Sequence, residues 1–168
     1  MAKLIILRGY PGAGKSTIGK ALQIRGVGSF IDHNAILTFV ANIAGDDDGI
    51  YDDIANLELS ITRKLLKNGK TAIAARGFSD LKGIKAYEDV AAELGATVNI
   101  FRIQVDYEEL AKRVVGLERT ASLNPTTNPE LLEKWISENP LVDHPSEIII
   151  DNTRSIAEVV NDVVAHID

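Results

Sequence analysis

Glycines, a lysine and a hydroxyl stand close together near the start of the chain, in Gly9-Tyr10-Pro11-Gly12-Ala13-Gly14-Lys15-Ser16. The spacing is that of the phosphate-binding loop G-x-x-x-x-G-K-[ST]. Glycines let successive backbone N–H groups turn inward and form a concave anion site with no Cβ in the way. A helix placed directly after the loop adds its free N-terminal N–H groups and the positive end of its dipole. Lys15 can then reach the β- and γ-phosphates, the Ser16 hydroxyl can ligate Mg²⁺, and Thr17 adds a hydroxyl toward the α-phosphate. These residue types at this spacing predict a nucleoside triphosphate, ATP, held with Mg²⁺.

Further residues could complete a transfer site. Asp32, followed by His33, suits a general base or an anchor for a substrate hydroxyl, and it suits a helix cap equally in type. His33 reads as a neighbour of that base. Arg76 suits a clamp on a substrate hydroxyl or phosphate, with an ordinary salt bridge as the alternative. Residues 113–128 read as a lid, whose Arg113 and Arg119 would bring cations over the phosphates on closure. Lys112 is expected to face solvent. Asp106 and Asp151 end apolar segments and could serve magnesium, although Glu109 three residues after Asp106 favours a capping box. Asn152, between Asp151 and Thr153, is placed to contact the adenine, with a cap on the final helix as the alternative for this stretch. The acidic run Asp46-Asp47-Asp48, with Asp52 and Asp53, is a solvated loop or the rim of an acceptor site that prefers cations.

The elements that must position these residues follow from periodicity. Lys3 to Arg8 is a short apolar strand, and Ile18, Ala21, Leu22 and Arg25 recur at helical spacing after the loop. A second strand covers Ser29 to Asp32, a third Thr71 to Ala75, a fourth Thr97 to Val105 and a fifth Glu147 to Asp151. Between them, Ile54, Leu57, Ile61 and Leu65 predict one helix face. Leu81, Ile84, Tyr87, Ala91 and Leu94 predict another, capped by Ser79 or Asp80. Asn128-Pro129 starts a helix carrying Leu131, Leu132, Trp135 and Ile136. The last helix starts at Ser155 and turns Ile156, Val159, Val160, Val163, Val164 and Ile167 inward. Alternating strands and helices specify an α/β fold with a mostly parallel sheet covered on both faces. Ligands on such sheets bind beyond the carboxyl ends of the strands, where Gly9 to Thr17, Asp32, Arg76, Asp106 and Asn152 all fall.

The chain has 168 residues, 45% of them hydrophobic and 25% charged, which suits a single domain over residues 1–168 with a full core. There is no cysteine, which excludes disulfides, thiolate metal sites and cysteine nucleophiles. No apolar run approaches the ~18 residues of a membrane span, and Met1-Ala2-Lys3 leads straight into the first strand. A cytoplasmic protein without a membrane partner is expected. The formal net charge of −6 disfavours a long nucleic-acid partner without forbidding a local basic groove.

Taken together, the loop Gly9 to Thr17, the segment Ile31-Asp32-His33-Asn34 and the arginine-bearing lid resemble the small P-loop kinases. Among these the chain is most similar to the polynucleotide-kinase-like, zeta-toxin-like and chloramphenicol-phosphotransferase-like group. The resemblance implies a five-stranded parallel sheet of order 2-3-1-4-5, Asp32 as the catalytic base, and Arg113 and Arg119 as the lid arginines. The chain departs from the group after the third strand, where Arg76-Gly77-Phe78-Ser79 replaces the usual polar triplet. The expected activity is transfer of the γ-phosphoryl group of ATP to a hydroxyl of a small molecule such as a sugar, nucleoside or antibiotic. A polynucleotide 5′-hydroxyl kinase is the alternative within enzymes, and a nucleotide-dependent regulatory binder or toxin the alternative outside them.

Overall fold

The computed structural model describes residues 1–44, 49–116 and 128–167. In chain order its elements are β1 (Lys3–Arg8), α1 (Lys15–Ile24), β2 (Ser29–Asp32), α2 (His33–Ala44), α3 (Ile50–Lys67) and β3 (Ala72–Ala75). There follow α4 (Leu81–Glu93), β4 (Thr97–Gln104), α5 (Tyr107–Gly116), α6 (Pro129–Glu138), β5 (Glu147–Asp151) and α7 (Ile156–Ala165). The strands form one parallel sheet in the order β2-β3-β1-β4-β5.

Alternation along the central strands divides the interior into two cores, because successive side chains leave opposite faces of a strand. Ile5, Leu7, Ile73, Phe101 and Ile103 pack with Ile18 and Leu22 of α1, Leu110 of α5 and Val159 and Val163 of α7. Leu4, Ile6, Ala72, Ala74 and Ile100 pack on the other face with Leu66 of α3 and Ile84 and Tyr87 of α4. The architecture is thus three layers, helix on sheet on helix, as expected of an α/β fold.

Local chemistry sets most element ends. Asp80 caps α4 by accepting from Gly83 N at 3.0 Å. Asn128 caps α6 just ahead of Pro129, and Ser155 with Glu158 forms a complete capping box on α7. Asp106 accepts from Glu109 N at 2.8 Å, whereas the Glu109 carboxylate receives Arg113 Nε at 2.8 Å.

Several helix residues differ from their expected orientation, and Leu81 of α4 and Leu131 of α6 are exposed among them. The buried stripe of α3 is Ile50, Ile54, Glu58, Thr62 and Leu66, while Leu57 is exposed. Apolar residues at 54, 57, 61 and 65 pointed to the neighbouring stripe, because hydropathy alone assigns Glu58 and Thr62 to solvent. In α7, Ile156 is exposed rather than inward. Among the described residues no helix is long and apolar enough to cross a membrane.

Candidate functional site

The donor loop runs from the end of β1 into α1. Gly9 and Gly14 adopt φ of 146° and 94°, a region closed to most side chains. A Cβ on Gly14 would sit 2.3 Å from Asn152 Nδ2, so both the dihedral and the space require glycine. Helix α1 has no side-chain cap, and Ile18 N is the first amide to bond back along it, to Gly14 O. The start of α1 therefore presents backbone N–H groups toward the loop's concavity, which is the donor set a phosphate requires.

Lys15 lays its ammonium across this loop, donating to Gly9 O at 2.8 Å and Tyr10 O at 2.9 Å. Ser16 is half-buried and Thr17 exposed in the first turn of α1. Pro11 and Gly12 form the loop's turn, and Ala13 N closes it by donating to Tyr10 O at 3.1 Å. Behind the loop, buried Asn152 donates Nδ2 to Ala13 O at 2.7 Å. Arg113 donates to Asn152 O at 2.8 Å and to Glu109, so the guanidinium lies beside Gly14. Asp151 spends its carboxylate on Thr153, accepting from its N at 3.0 Å and Oγ1 at 2.9 Å. The five residues Gly9, Gly14, Lys15, Arg113 and Asn152 thus converge on one corner of the sheet.

The candidate acceptor residues gather beyond the two strands beside β1. Asp32 and Ala75 are register partners in β2 and β3, so His33 and Arg76 emerge side by side, one step past the paired strands. Asp32 Oδ1 caps α2, accepting from Asn34 N at 3.1 Å and Ala35 N at 3.4 Å. Its Oδ2 lies 3.1 Å from Lys20 Nζ, on the helix that follows the donor loop. Of the two readings of this residue in the sequence, the cap is present in the structure.

Beneath His33 and Arg76 lies a residue that sequence reasoning missed. Glu58 of α3 is 1% exposed, yet its carboxylate meets three partners. His33 Nδ1 is 2.7 Å from Oε1, Tyr87 donates its hydroxyl to Oε2 at 3.1 Å, and Arg76 Nη1 lies 3.4 Å from Oε2. Burial, and then the Glu58 charge, push the Tyr87 phenol above its ordinary range, so it stays a donor. The salt-bridge alternative for Arg76 is therefore present, and its guanidinium also lies 5.9 Å over the Phe78 ring. A polar residue spaced with the buried positions of a helix, as Glu58 is with Ile54, was the available signal.

A second missed residue holds the two halves together. Arg8, the last residue of β1, is fully buried and pairs with Glu147 at 2.7 Å. Its Nη2 donates to Phe78 O and Val142 O, both at 2.9 Å, tying the segment after β3 to the strand that carries the donor loop. Phe78 has φ 46°, an uncommon conformation for a bulky residue, and Arg8 holds its carbonyl there. Trp135 of α6 packs edge-on against Tyr10 at 6.2 Å and lies next to Gly77, closing the space between the donor loop and Arg76. A cavity of about 200 Å³ lies beside Tyr10, lined also by Ala13, Arg102, Ile103, Gln104 and Leu141.

Arg119 and most of the expected lid lie outside the described residues, as does the run Asp46 to Asp48. Residues 113–116 continue α5, Asn128 caps α6, and Lys112 is exposed. Asp52 and Asp53 are exposed in the first turn of α3, where negative charge suits the helix end. Among the described residues no group of three or more acidic, histidine or cysteine side chains is gathered to hold a metal ion unaided. The donor set fits Mg²⁺ arriving with phosphate oxygens as its main ligands.

Comparison with known proteins agrees with this fold. Residues 4–134 match the sequence pattern of the AAA domain family. No match was found among curated protein sequences. Among solved structures, a candidate kinase from Chloroflexus aurantiacus aligns over 99% of both chains, with a TM-score of 0.78 and 18% identity. A gluconokinase from Sinorhizobium meliloti aligns over 97% of this chain and 90% of its own, with a TM-score of 0.68 and 19% identity. A sugar kinase from Janibacter sp. gives 98% and 94% coverage, a TM-score of 0.68 and 14% identity. At these identities the likeness is one of fold, and the fold shared is that of P-loop kinases.

Proposed function

The chain belongs to the AAA domain family, a P-loop nucleotide-binding fold, and from that premise we propose that it is an ATP-dependent kinase acting on a hydroxyl of a small molecule. The observation that carries this reading is the adjacency of a glycine loop and a separate cluster of charged side chains at three neighbouring strand ends. The glycine cradle follows β1, while Arg76 and Asp32 follow β3 and β2 in the order β2-β3-β1. A regulatory binder needs the cradle alone; a transferase needs both.

In this reading the loop amides from Gly9 to Gly14 and the start of α1 hold the β- and γ-phosphates of ATP. Lys15 exchanges the Gly9 and Tyr10 carbonyls for phosphate oxygens, and Ser16 offers its hydroxyl to Mg²⁺. The metal would supply charge neutralisation between the β- and γ-phosphates. Thr17 serves the α-phosphate, and Asn152 and Arg113 serve the nucleotide side; Arg119, expected to join them, belongs to the segment outside the described residues. Asp32 orients the acceptor hydroxyl for in-line attack and Arg76 binds another polar group of the same acceptor. Trp135 and Phe78 supply apolar walls that exclude water, without which the γ-phosphoryl group would pass to solvent.

The acceptor class is read from the polarity of the side chains at these strand ends. They comprise a carboxylate, a guanidinium and two aromatic side chains, which suits a compact polyhydroxylated molecule. The protein should be incubated with ATP and Mg²⁺ and a panel comprising gluconate, hexoses, nucleosides, an aminoglycoside and a 5′-hydroxyl oligonucleotide. ADP release above the level seen with water, from one of the small molecules, is the expected result. Transfer to the oligonucleotide alone, with a steep salt dependence, would move the assignment to a polynucleotide kinase. No stimulated turnover with any acceptor would sink the kinase reading.

A further inference from the structure

Asp32 is the carboxylate closest to hand for accepting the substrate proton, yet both of its oxygens are engaged, Oδ1 as the cap of α2 and Oδ2 with Lys20. The next residue is held quite differently. His33 presents Nδ1 to Glu58 Oε1 at 2.7 Å, and that carboxylate is 1% exposed. The ring itself is 22% exposed and stands beside Arg76 at the carboxyl end of β2 and β3. Among the described residues Nε2 has no partner.

We propose that His33 and Glu58 form a dyad in which His33 Nε2 is a proton acceptor for the substrate hydroxyl, and Glu58 is the positioning residue that sets its tautomer. The proposal rests on the kinase reading above. A buried carboxylate facing one ring nitrogen takes the ring proton on that side, which leaves the lone pair on the other nitrogen. Two further contacts hold Glu58 still, Tyr87 at 3.1 Å and Arg76 at 3.4 Å, so the ring is oriented by three elements besides its own. Arg76 belongs to the same assembly, which links recognition of the acceptor to the state of the base.

The step balances within the groups named. The acceptor O–H bond breaks and its proton goes to His33 Nε2; the oxygen's electron pair forms the new bond to Pγ. The bond from Pγ to the β,γ-bridging oxygen breaks, and that pair leaves with ADP. The resulting imidazolium is stabilised by the Glu58 carboxylate 2.7 Å from Nδ1. Asp32 keeps its cap and orients the hydroxyl.

The test uses the full chain and has two arms. In the first, two-bond ¹H–¹⁵N correlation spectra of the ¹⁵N-labelled protein report the ring protonation of its histidines, with His33 assigned by the signal lost in His33→Gln. The expected pattern is a proton on Nδ1 of neutral His33. A neutral ring protonated on Nε2 would overturn the dyad whatever the activity. In the second arm, kcat and KM are measured with the best acceptor of the panel above. His33→Gln should lower kcat about 100-fold with the KM for ATP unchanged. Glu58→Gln, which keeps an oxygen for Nδ1–H and removes the charge, should lower kcat about tenfold while the melting temperature confirms folding. Retention of kcat within about threefold in His33→Gln would overturn the catalytic role even if the tautomer is as expected. Absence of any turnover that depends on Lys15 in the parent protein would sink the kinase reading, and the catalytic role with it, while leaving the tautomer measured.

Discussion

The proposed donor corner and the proposed acceptor corner of this site are built on opposite principles. The donor corner is a contiguous loop whose functional groups are backbone amides, and its glycines are needed for the positive φ at Gly9 and Gly14. The acceptor corner is assembled from β2, α3, β3 and α4, with Asp32, Glu58, Arg76 and Tyr87 spread along the chain. Its working parts are side chains, and a buried carboxylate keeps them in place. A backbone cradle carries a general property, affinity for phosphate. A side-chain cluster carries a particular one, since each partner can be exchanged without altering the chain's path.

That contrast can be broken at several points, and the strongest break is in the donor corner. Lys15→Ala should reduce phosphoryl transfer by about 10³-fold or more, because a cation positioned on the transferring group acts directly on the transition state. Steady-state ADP release checks this, and near-parental activity would mean that the loop does not bind the reacting phosphates. Next in size is Arg8→Met, which removes one partner of a buried ion pair and frees the Phe78 carbonyl. Urea denaturation should show a loss of about 3 kcal/mol. Unchanged stability would mean that Arg102, 3.5 Å from Glu147, takes over the charge.

Asp32→Asn separates the two roles of that residue. Asparagine caps a helix as well as aspartate does, so stability should hold within about 0.5 kcal/mol. Turnover should fall about tenfold to 100-fold, because an amide orients a hydroxyl less well than a carboxylate. Equal turnover would reduce Asp32 to a cap. Asn152→Ala removes the hydrogen bond to Ala13 O and should cost about 1 kcal/mol of stability. It should also raise the KM for ATP while leaving that for the acceptor unchanged; a rise in both would show that the corners are not separable.

The smallest effect is alkaline. The folded-state Tyr87 phenol titrates above its ordinary value of 10.0, because burial and the Glu58 charge oppose its ionisation. Stability from this source is complete below the unfolded phenol's pKa and is lost as pH rises above it, where only the unfolded chain ionises. Between about pH 8 and about pH 10.5 the urea midpoint should therefore fall further in the parent than in Tyr87→Phe.

Much of the fold was legible in advance. The five strands and the alternation into a parallel sheet follow from apolar runs and turn residues, and the P-loop resemblance supplied the strand order. The donor corner was legible too, because its chemistry is written in adjacent residues. Glu58 was not, since its i±4 neighbours Ile54 and Thr62 mark it as inward only once α3 is seated on the sheet. Arg8 was hidden for a related reason. At a strand end it reads as a solvent-facing charge, whereas the segment ending in Val142 and Glu147 returns over it and buries it completely.

By itself the sequence determined the class of fold and the glycine loop after β1, because helix and strand periods and the glycine conformation are local properties of a few neighbouring residues. Only the tertiary structure decided which charges are partnered. Whether a carboxylate faces water or His33, Arg76 and Tyr87 depends on where helices far apart in the chain come to rest, and burial makes each of those contacts count.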